Sequence, residues 1–193
     1  ALIFAAGLGT RLKPLTDTMP KAMVPIHGKP LVQILIEKLK TIGVDHIVIN
    51  VHHFAQQIID FVEACNHFGI DIQFSDETDM LLETGGGLKK AACLFPNADP
   101  ILVHNVDILS NADLLSLYNA ATATTLLVSD RKTQRYLLFD TDECLVGWVN
   151  MATGQVKSPH PELLEHDGDS TYFQQHSALK KHAFAGIQVF FPS

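Results

Sequence analysis

Between Leu2 and His104 the chain alternates short apolar runs with amphipathic stretches, and that alternation constrains the fold more than any other feature. Leu2–Ala5, His46–Val51 (H-I-V-I-N-V), Ile70–Phe74 and Ile101–His104 read as buried strands. Pro30–Thr41, Ala55–Asn66 and Gly87–Phe95 read as helices, the first carrying Leu31, Ile34, Leu35 and Leu39 at helical spacing. A strand followed by a helix and then another strand is the unit that builds parallel sheets, so the order predicts an α/β fold with a mostly parallel sheet and helices on both faces. Pro30 suits the first turn of a helix, where its missing N–H costs nothing. Beyond this region the pattern shifts. A helix over Asn111–Ala121, capped by Ser110 or Asn111, precedes strand-like runs at Thr124–Ser129, Tyr136–Phe139, Leu145–Asn150 and Phe184–Phe191. Ser158–Lys181 is polar and reads as a long surface excursion.

The 193 residues suffice for one α/β domain with a sizeable core, and no apolar run approaches the roughly 20 residues that cross a bilayer. The chain opens on Ala1-Leu2-Ile3-Phe4 without Met or a basic leader, and its last residues stop just past a strand-like run. The expectation is a single domain over residues 1–193, truncated at both ends. Cys65, Cys93 and Cys144 are odd in number and widely spaced, which argues against a disulfide framework and for a reducing, cytoplasmic setting. Net charge is −7, but residues 1–40 hold six bases and two acids, and Thr41–Leu88 contains no Lys or Arg. Such a surface repels long polyanions and excludes nucleic-acid binding by a basic face, while a small anion could be held near the N-terminal bases.

Four segments carry chemistry. The first follows the first strand: Ala5-Ala6-Gly7-Leu8-Gly9-Thr10-Arg11, where glycines let backbone N–H groups approach an anion and Arg11 offers a planar fork to phosphate oxygens. Two glycines alone fit a structural turn equally well. The dinucleotide-binding fingerprint fails, because Leu12 stands where its third glycine belongs and Asn50-Val51-His52 replaces its acid; a Walker A loop is absent too. The second segment is Met19-Pro20-Lys21-Ala22-Met23-Val24-Pro25-Ile26, which puts a base in a proline-punctuated turn. The third, Leu82-Glu83-Thr84-Gly85-Gly86-Gly87, is either a flexible helix start or a loop across which a flat base can lie. The fourth, Ile101–Leu109, is a buried strand that ends in Asn105 and Asp107, at the edge where open α/β sheets bind ligands.

Together the first two segments read G-x-G-T-R-x-x-P-L-T and then P-K-x-x-V-P-I, a composite that closely resembles the signature of the sugar-1-phosphate nucleotidyltransferases, or pyrophosphorylases. The E-T-G-G-G form of the third segment resembles the N-acetylmuramate-1-phosphate uridylyltransferases and the mannose-1-phosphate guanylyltransferase-like proteins. The resemblance implies a Rossmann-like three-layer α/β/α sandwich of the glycosyltransferase-A type, and transfer of a nucleotidyl group from UTP or GTP to a sugar 1-phosphate with release of pyrophosphate. It implies Arg11, Lys21 and Asp107 as catalytic residues, with Asp107 also the ligand of Mg²⁺. It implies nucleotide contacts from Ala5, Ala6, Gly7, Gly9, Thr10, Arg11, Glu83, Thr84 and Gly85, and sugar-phosphate contacts from Asn105, Gly147 and Gly186. Val106 stands where relatives commonly have Gly, and a second metal-binding residue is expected beyond Ser193. The implied partners are a nucleoside triphosphate and a sugar 1-phosphate, with neither nucleic acid nor membrane, and homo-oligomerisation is left open. Two alternatives remain: a nucleotide-binding regulator without turnover, and a cytidylyltransferase acting on choline phosphate or a similar alcohol phosphate.

Overall fold

Leu2 and Ile3 are both fully buried although they point to opposite faces of their strand, so the first apolar run lies at the centre of a sheet covered on both sides. The computed structural model describes every residue except Pro96, Ala98, Ser177 and Ser193, so Ser177 of the expected excursion and Ser193 at the end of the expected 1–193 domain lie outside the described residues. The chain divides into two compact units, Ala1–Thr125 with Gly186–Ser193, and Leu126–Ala185. No helix of the described residues is long and apolar enough to cross a membrane.

The first unit begins with β1 (Leu2–Phe4), followed by single 3₁₀ turns and a two-residue hairpin, β2 (Pro25–Ile26) and β3 (Lys29–Pro30). It continues with α1 (Leu31–Thr41), β4 (His46–Val51), α2 (Ala55–Ala64), β5 (Asp71–Asp76), α3 (Glu83–Ala91), β6 (Ile101–Asn105) and α4 (Leu114–Ala120). Strands β6, β1, β4 and β5 lie side by side and parallel. Ile187–Phe190, the end of the last strand, pairs antiparallel with β6 at residues Ile101–His104. The expected α/β fold with a mostly parallel sheet is therefore present. Leu2, Val48, Val103 and Ile101 face α3, where Ala91 closes the cluster and Leu88 packs against it. Ile3, Ile49 and His104 share one register row and point to the other face, where they are wholly buried.

Two expectations shift. The helix expected over Gly87–Phe95 begins earlier, at Glu83, and ends at Ala91, which puts Gly85, Gly86 and Gly87 in its first turns and not in a loop. The helix expected over Asn111–Ala121 is shorter and is capped by Asp113, whose carboxylate accepts the Ser116 N–H at 3.0 Å. Ser110 instead closes a local turn by accepting from Ala112 N–H.

The second unit contains β7 (Thr125–Ser129), β8 (Arg135–Phe139), β9 (Leu145–Asn150), β10 (Val156–Lys157), α5 (Pro161–Leu164) and α6 (Ser170–Gln175). The first residues of β11 (Lys180–Phe190) extend its antiparallel pairing along β8. The polar stretch expected as a surface excursion is anchored: α5 and α6 bury Leu163 and Phe173 beside Leu138, Val149 and Val156. Both anchors are single apolar residues in short helices, too sparse to produce a periodic signal.

The loop after β1 is held by local sterics. Gly9 has φ of 63°, and a Cβ there would come within 2.9 Å of Thr16 Cγ2. The Thr16 hydroxyl donates to the Gly9 carbonyl at 2.9 Å, and Leu12 N–H donates to the same oxygen at 2.8 Å. A Gly9→Ala substitution should cost about 1–2 kcal/mol from the left-handed backbone alone. Gly7→Ala should leave the melting temperature unchanged, because nothing stands within 4 Å of a Cβ at Gly7. Equal melting temperatures for the two variants would contradict this account.

His104 supplies a pH dependence. Its Nδ1 donates to the Asn105 carbonyl at 2.8 Å, and Nε2 is buried without a partner among the described residues. Burial pushes the imidazole below its ordinary 6.5, with help from Lys38 and against the hydrogen bond to the Asn105 carbonyl and a smaller pull from Asp107. The unfolded chain therefore takes a proton near pH 6.5 that the folded chain refuses. Stability present above pH 6.5 is lost as pH falls through that value toward the lower folded one, at up to about 1.4 kcal/mol per pH unit. Urea unfolding at pH 7.5 and 5.5 should show a smaller loss for His104→Leu than for the unsubstituted chain, and equal losses would refute it.

Candidate functional site

The carboxyl ends of the parallel strands open onto a cavity of about 420 Å³, within the range of small-ligand sites. Register builds it: Phe4, the last residue of β1, pairs with Asn50 on β4 and Asn105 on β6, so both amides flank the point where the chain leaves the central strand. Val106 N–H donates to the Phe4 carbonyl at 3.0 Å and continues that alignment toward Asp107.

Most of the residues expected from the sequence line this cavity. Ala5, Ala6, Gly7, Gly9, Thr10 and Arg11 form one wall, and Lys21, Asn105 and Asp107 another. Glu83 and Thr84 reach it from the start of α3. Gly85 is not part of the lining; a Cβ there would meet nothing within 4 Å. Gly186 sits behind Asn105, where a Cβ would approach the Asn105 amide nitrogen at 3.1 Å and Ile108 at 2.7 Å. Gly147 belongs to the second unit, on β9, where a Cβ would meet the Lys157 carbonyl oxygen at 3.1 Å.

The charges have distinct surroundings. Arg11 is exposed and makes no ion pair among the described residues, so its guanidinium is available to a ligand. The Lys21 ammonium is paired with the Asp107 carboxylate, both partly buried. Among the described residues no group of three or more His, Cys, Asp and Glu could hold a metal ion. Asp107 offers a hard oxygen at the cavity wall beside Lys21, which suits a cation that takes one or two carboxylates and completes its shell with water and phosphate, as Mg²⁺ does.

Two polar lining residues, Asn50 and Glu77, escaped the sequence reading. Asn50 is 2% exposed; its Oδ1 accepts Ala5 N–H at 2.6 Å and Ala6 N–H at 3.2 Å. Those two N–H groups are thereby engaged, and Ala5 and Ala6 have only carbonyl oxygens to offer a ligand. Glu77 is fully buried, accepting from Asn50 Nδ2 at 2.9 Å and from Leu82 N–H at 3.1 Å. Gly87 makes room for it, since a Cβ there would stand 2.7 Å from Glu77 Oε1 and 3.3 Å from the Phe4 ring. The available signal was Asn50 itself, a polar residue interrupting the apolar run H-I-V-I-N-V near its carboxyl end.

A family model described as nucleotidyl transferase matches residues 1–140. The N-acetylmuramate alpha-1-phosphate uridylyltransferase of Caulobacter vibrioides is 41% identical over 109 residues, covering 55% of this chain and 45% of that protein. The enzyme of the same name from Neisseria meningitidis serogroup B is 38% identical over 123 residues, covering 64% and 53%. The chain thus spans about half the length of these relatives. The crystal structure of HddC from Yersinia pseudotuberculosis complexed with GMP-PN superposes with a TM-score of 0.68 at 24% identity, over 98% of this chain and 75% of that one, a likeness that bears on the fold alone. With the matched model spanning the glycine loop, Lys21 and Asp107 alike, the chain belongs to the nucleotidyl transferase family.

Proposed function

We propose that this chain carries the catalytic centre of a sugar-1-phosphate nucleotidyltransferase, which joins the nucleotidyl group of UTP or GTP to a sugar 1-phosphate and releases pyrophosphate. The observation that carries this reading is the convergence of the glycine loop, Arg11, Lys21 and Asp107 on one cavity at the carboxyl ends of the parallel strands. A guanidinium without an ion pair among the described residues, an ammonium and a glycine-rich backbone together suit a polyphosphate.

The reaction asks little covalent chemistry of the protein. An oxygen of the sugar phosphate, already ionised near neutral pH, attacks the α-phosphorus in line; the new P–O bond forms as the bond to the β-phosphate oxygen breaks, and pyrophosphate carries away the electron pair. Arg11 neutralises charge gathering on the leaving pyrophosphate. Lys21 holds the reacting phosphates, and its link to Asp107 fixes where the ammonium sits. Asn105, with Gly186 behind it, borders the side from which the sugar phosphate approaches. Asp107 would hold a Mg²⁺ ion, which supplies charge neutralisation on the phosphate oxygens when bound. Rate enhancement on this view comes from alignment and electrostatic stabilisation. Both substrates are phosphorylated small molecules, and with Cys65, Cys93 and Cys144 all free thiols the proposed setting is the cytoplasm.

A panel of UTP, GTP, CTP and dTTP crossed with several sugar 1-phosphates and with choline phosphate, read by pyrophosphate release with Mg²⁺ present, tests the reading. Release with a sugar 1-phosphate is expected; release with choline phosphate alone would indicate the cytidylyltransferase, and calorimetric binding without any release a regulator. Arg11→Ala and Lys21→Ala should each lower kcat/KM by about a hundredfold or more with the circular dichroism spectrum unchanged. Undiminished release by a folded Lys21→Ala variant would remove Lys21 from the assignment.

A further inference from the structure

Glu77 is a buried carboxylate to which the proposed chemistry gives no task. It touches no cation among the described ion pairs, and its two hydrogen-bond partners, Asn50 Nδ2 and Leu82 N–H, are both donors. A group that must accept at both ends can be a carboxylate but not a carboxamide, because the amide nitrogen of Gln would face a donor in either orientation. Asn50 is fixed the same way: its carbonyl end accepts from Ala5 and Ala6, so its amide end must point at Glu77. One buried chain of hydrogen bonds thus runs from Ala5 and Ala6 through Asn50 and Glu77 to Leu82, tying the loop after β1 to the start of α3.

The chain also decides what each end of the cavity can receive. The start of α3 would ordinarily attract an anion, but it already faces the Glu77 carboxylate through Leu82 N–H. A phosphate placed there would meet a buried negative charge. Arg11 and Lys21 stand on the other walls of the same cavity. Gly87, which leaves room for the carboxylate, keeps the first turns of α3 close against Phe4.

We propose that Asn50 and Glu77 are positioning residues that orient the nucleotide: they keep phosphate away from α3, direct the nucleobase to that end, and fix the spacing of the backbone that reads it. The inference rests on the nucleotide reading above and names a determinant of base selection within it. Neither residue need touch a reacting atom.

Glu77→Gln should raise KM for the preferred nucleoside triphosphate about tenfold and shrink the preference for that base over the next best by a similar factor, with kcat and the KM for sugar 1-phosphate changing far less. The double variant Asn50→Asp/Glu77→Gln restores complementarity. The introduced carboxylate accepts from Ala5, Ala6 and the new amide, whose oxygen accepts from Leu82 N–H, at unchanged total charge. It should recover most of the lost affinity and base preference, giving strong coupling in a double-mutant cycle read by calorimetry and steady-state kinetics. If Glu77→Gln alone does not fold, the double variant should fold and keep the preference. A folded Glu77→Gln with unaltered KM and base preference overturns the inference, as does a double variant that is unfolded or indiscriminate. Failure of the unsubstituted chain to bind any nucleoside triphosphate would instead sink the nucleotide reading, and this inference with it.

Discussion

The Asn50 side chain holds the point where the central strand ends and the glycine loop begins. A parallel strand buried on both faces can present a ligand site only at its carboxyl edge, and there the backbone leaves the ladder with N–H groups that need partners. Asn50 receives two of them from the neighbouring strand. The glycine loop therefore starts from a fixed position, and the turn at Gly9, with Thr16 beneath it, carries the chain round to Arg11. Without such an anchor the first residues of the loop would have to find water at the floor of the cavity.

That anchor depends in turn on an arrangement that is poor for stability taken alone. A carboxylate wholly removed from water is costly, and an apolar replacement of similar volume would often stabilise a fold. Glu77 is tolerated because each of its two carboxylate oxygens finds a donor, Asn50 Nδ2 for one and Leu82 N–H for the other. What the arrangement confers is geometric: two acceptors, each facing one donor, admit a single placement of three segments of chain. His104 differs on the opposite face, where one ring nitrogen is bonded and the other is buried without a partner among the described residues. It brings a pH sensitivity and no comparable network.

Much of this was legible in the sequence because it is written in local signals. The alternation of apolar runs located β1, β4, β5 and β6 within a residue or two, and the glycine loop, Lys21, Asn105 and Asp107, singled out by their motifs, line one cavity. What stayed hidden depends on pairs distant along the chain. Asn50 and Glu77 lie 27 residues apart and meet only because β4 and β5 run in parallel register. Gly85, Gly86 and Gly87 look like a loop by propensity, since each lowers helix stability, yet Gly87 is the residue that lets α3 sit against Glu77 and Phe4, and tertiary packing overrides the local preference. The helices at Pro161–Leu164 and Ser170–Gln175 are too short for periodicity to reveal and are fixed by one buried residue apiece.

The distribution of charge follows from the same geometry. A net charge of −7 sits oddly with the proposed polyphosphate ligand until the cavity is considered by itself, where Arg11 and Lys21 stand in the lining and the Glu77 carboxylate is buried and bonded to Asn50 and Leu82 N–H. Lys21 spans the two sides of that balance. Its ammonium has three donors and gives at least one to Asp107, so it can hold the carboxylate and still reach a phosphate oxygen. An ammonium tethered in this way has already lost much of its rotamer freedom, and the ordering that phosphate binding would otherwise demand of a long flexible side chain is reduced. The acidic remainder of the molecule does not oppose this, because beyond roughly 8–10 Å exposed charges are largely screened at physiological salt, whereas groups inside a partly closed cavity are not.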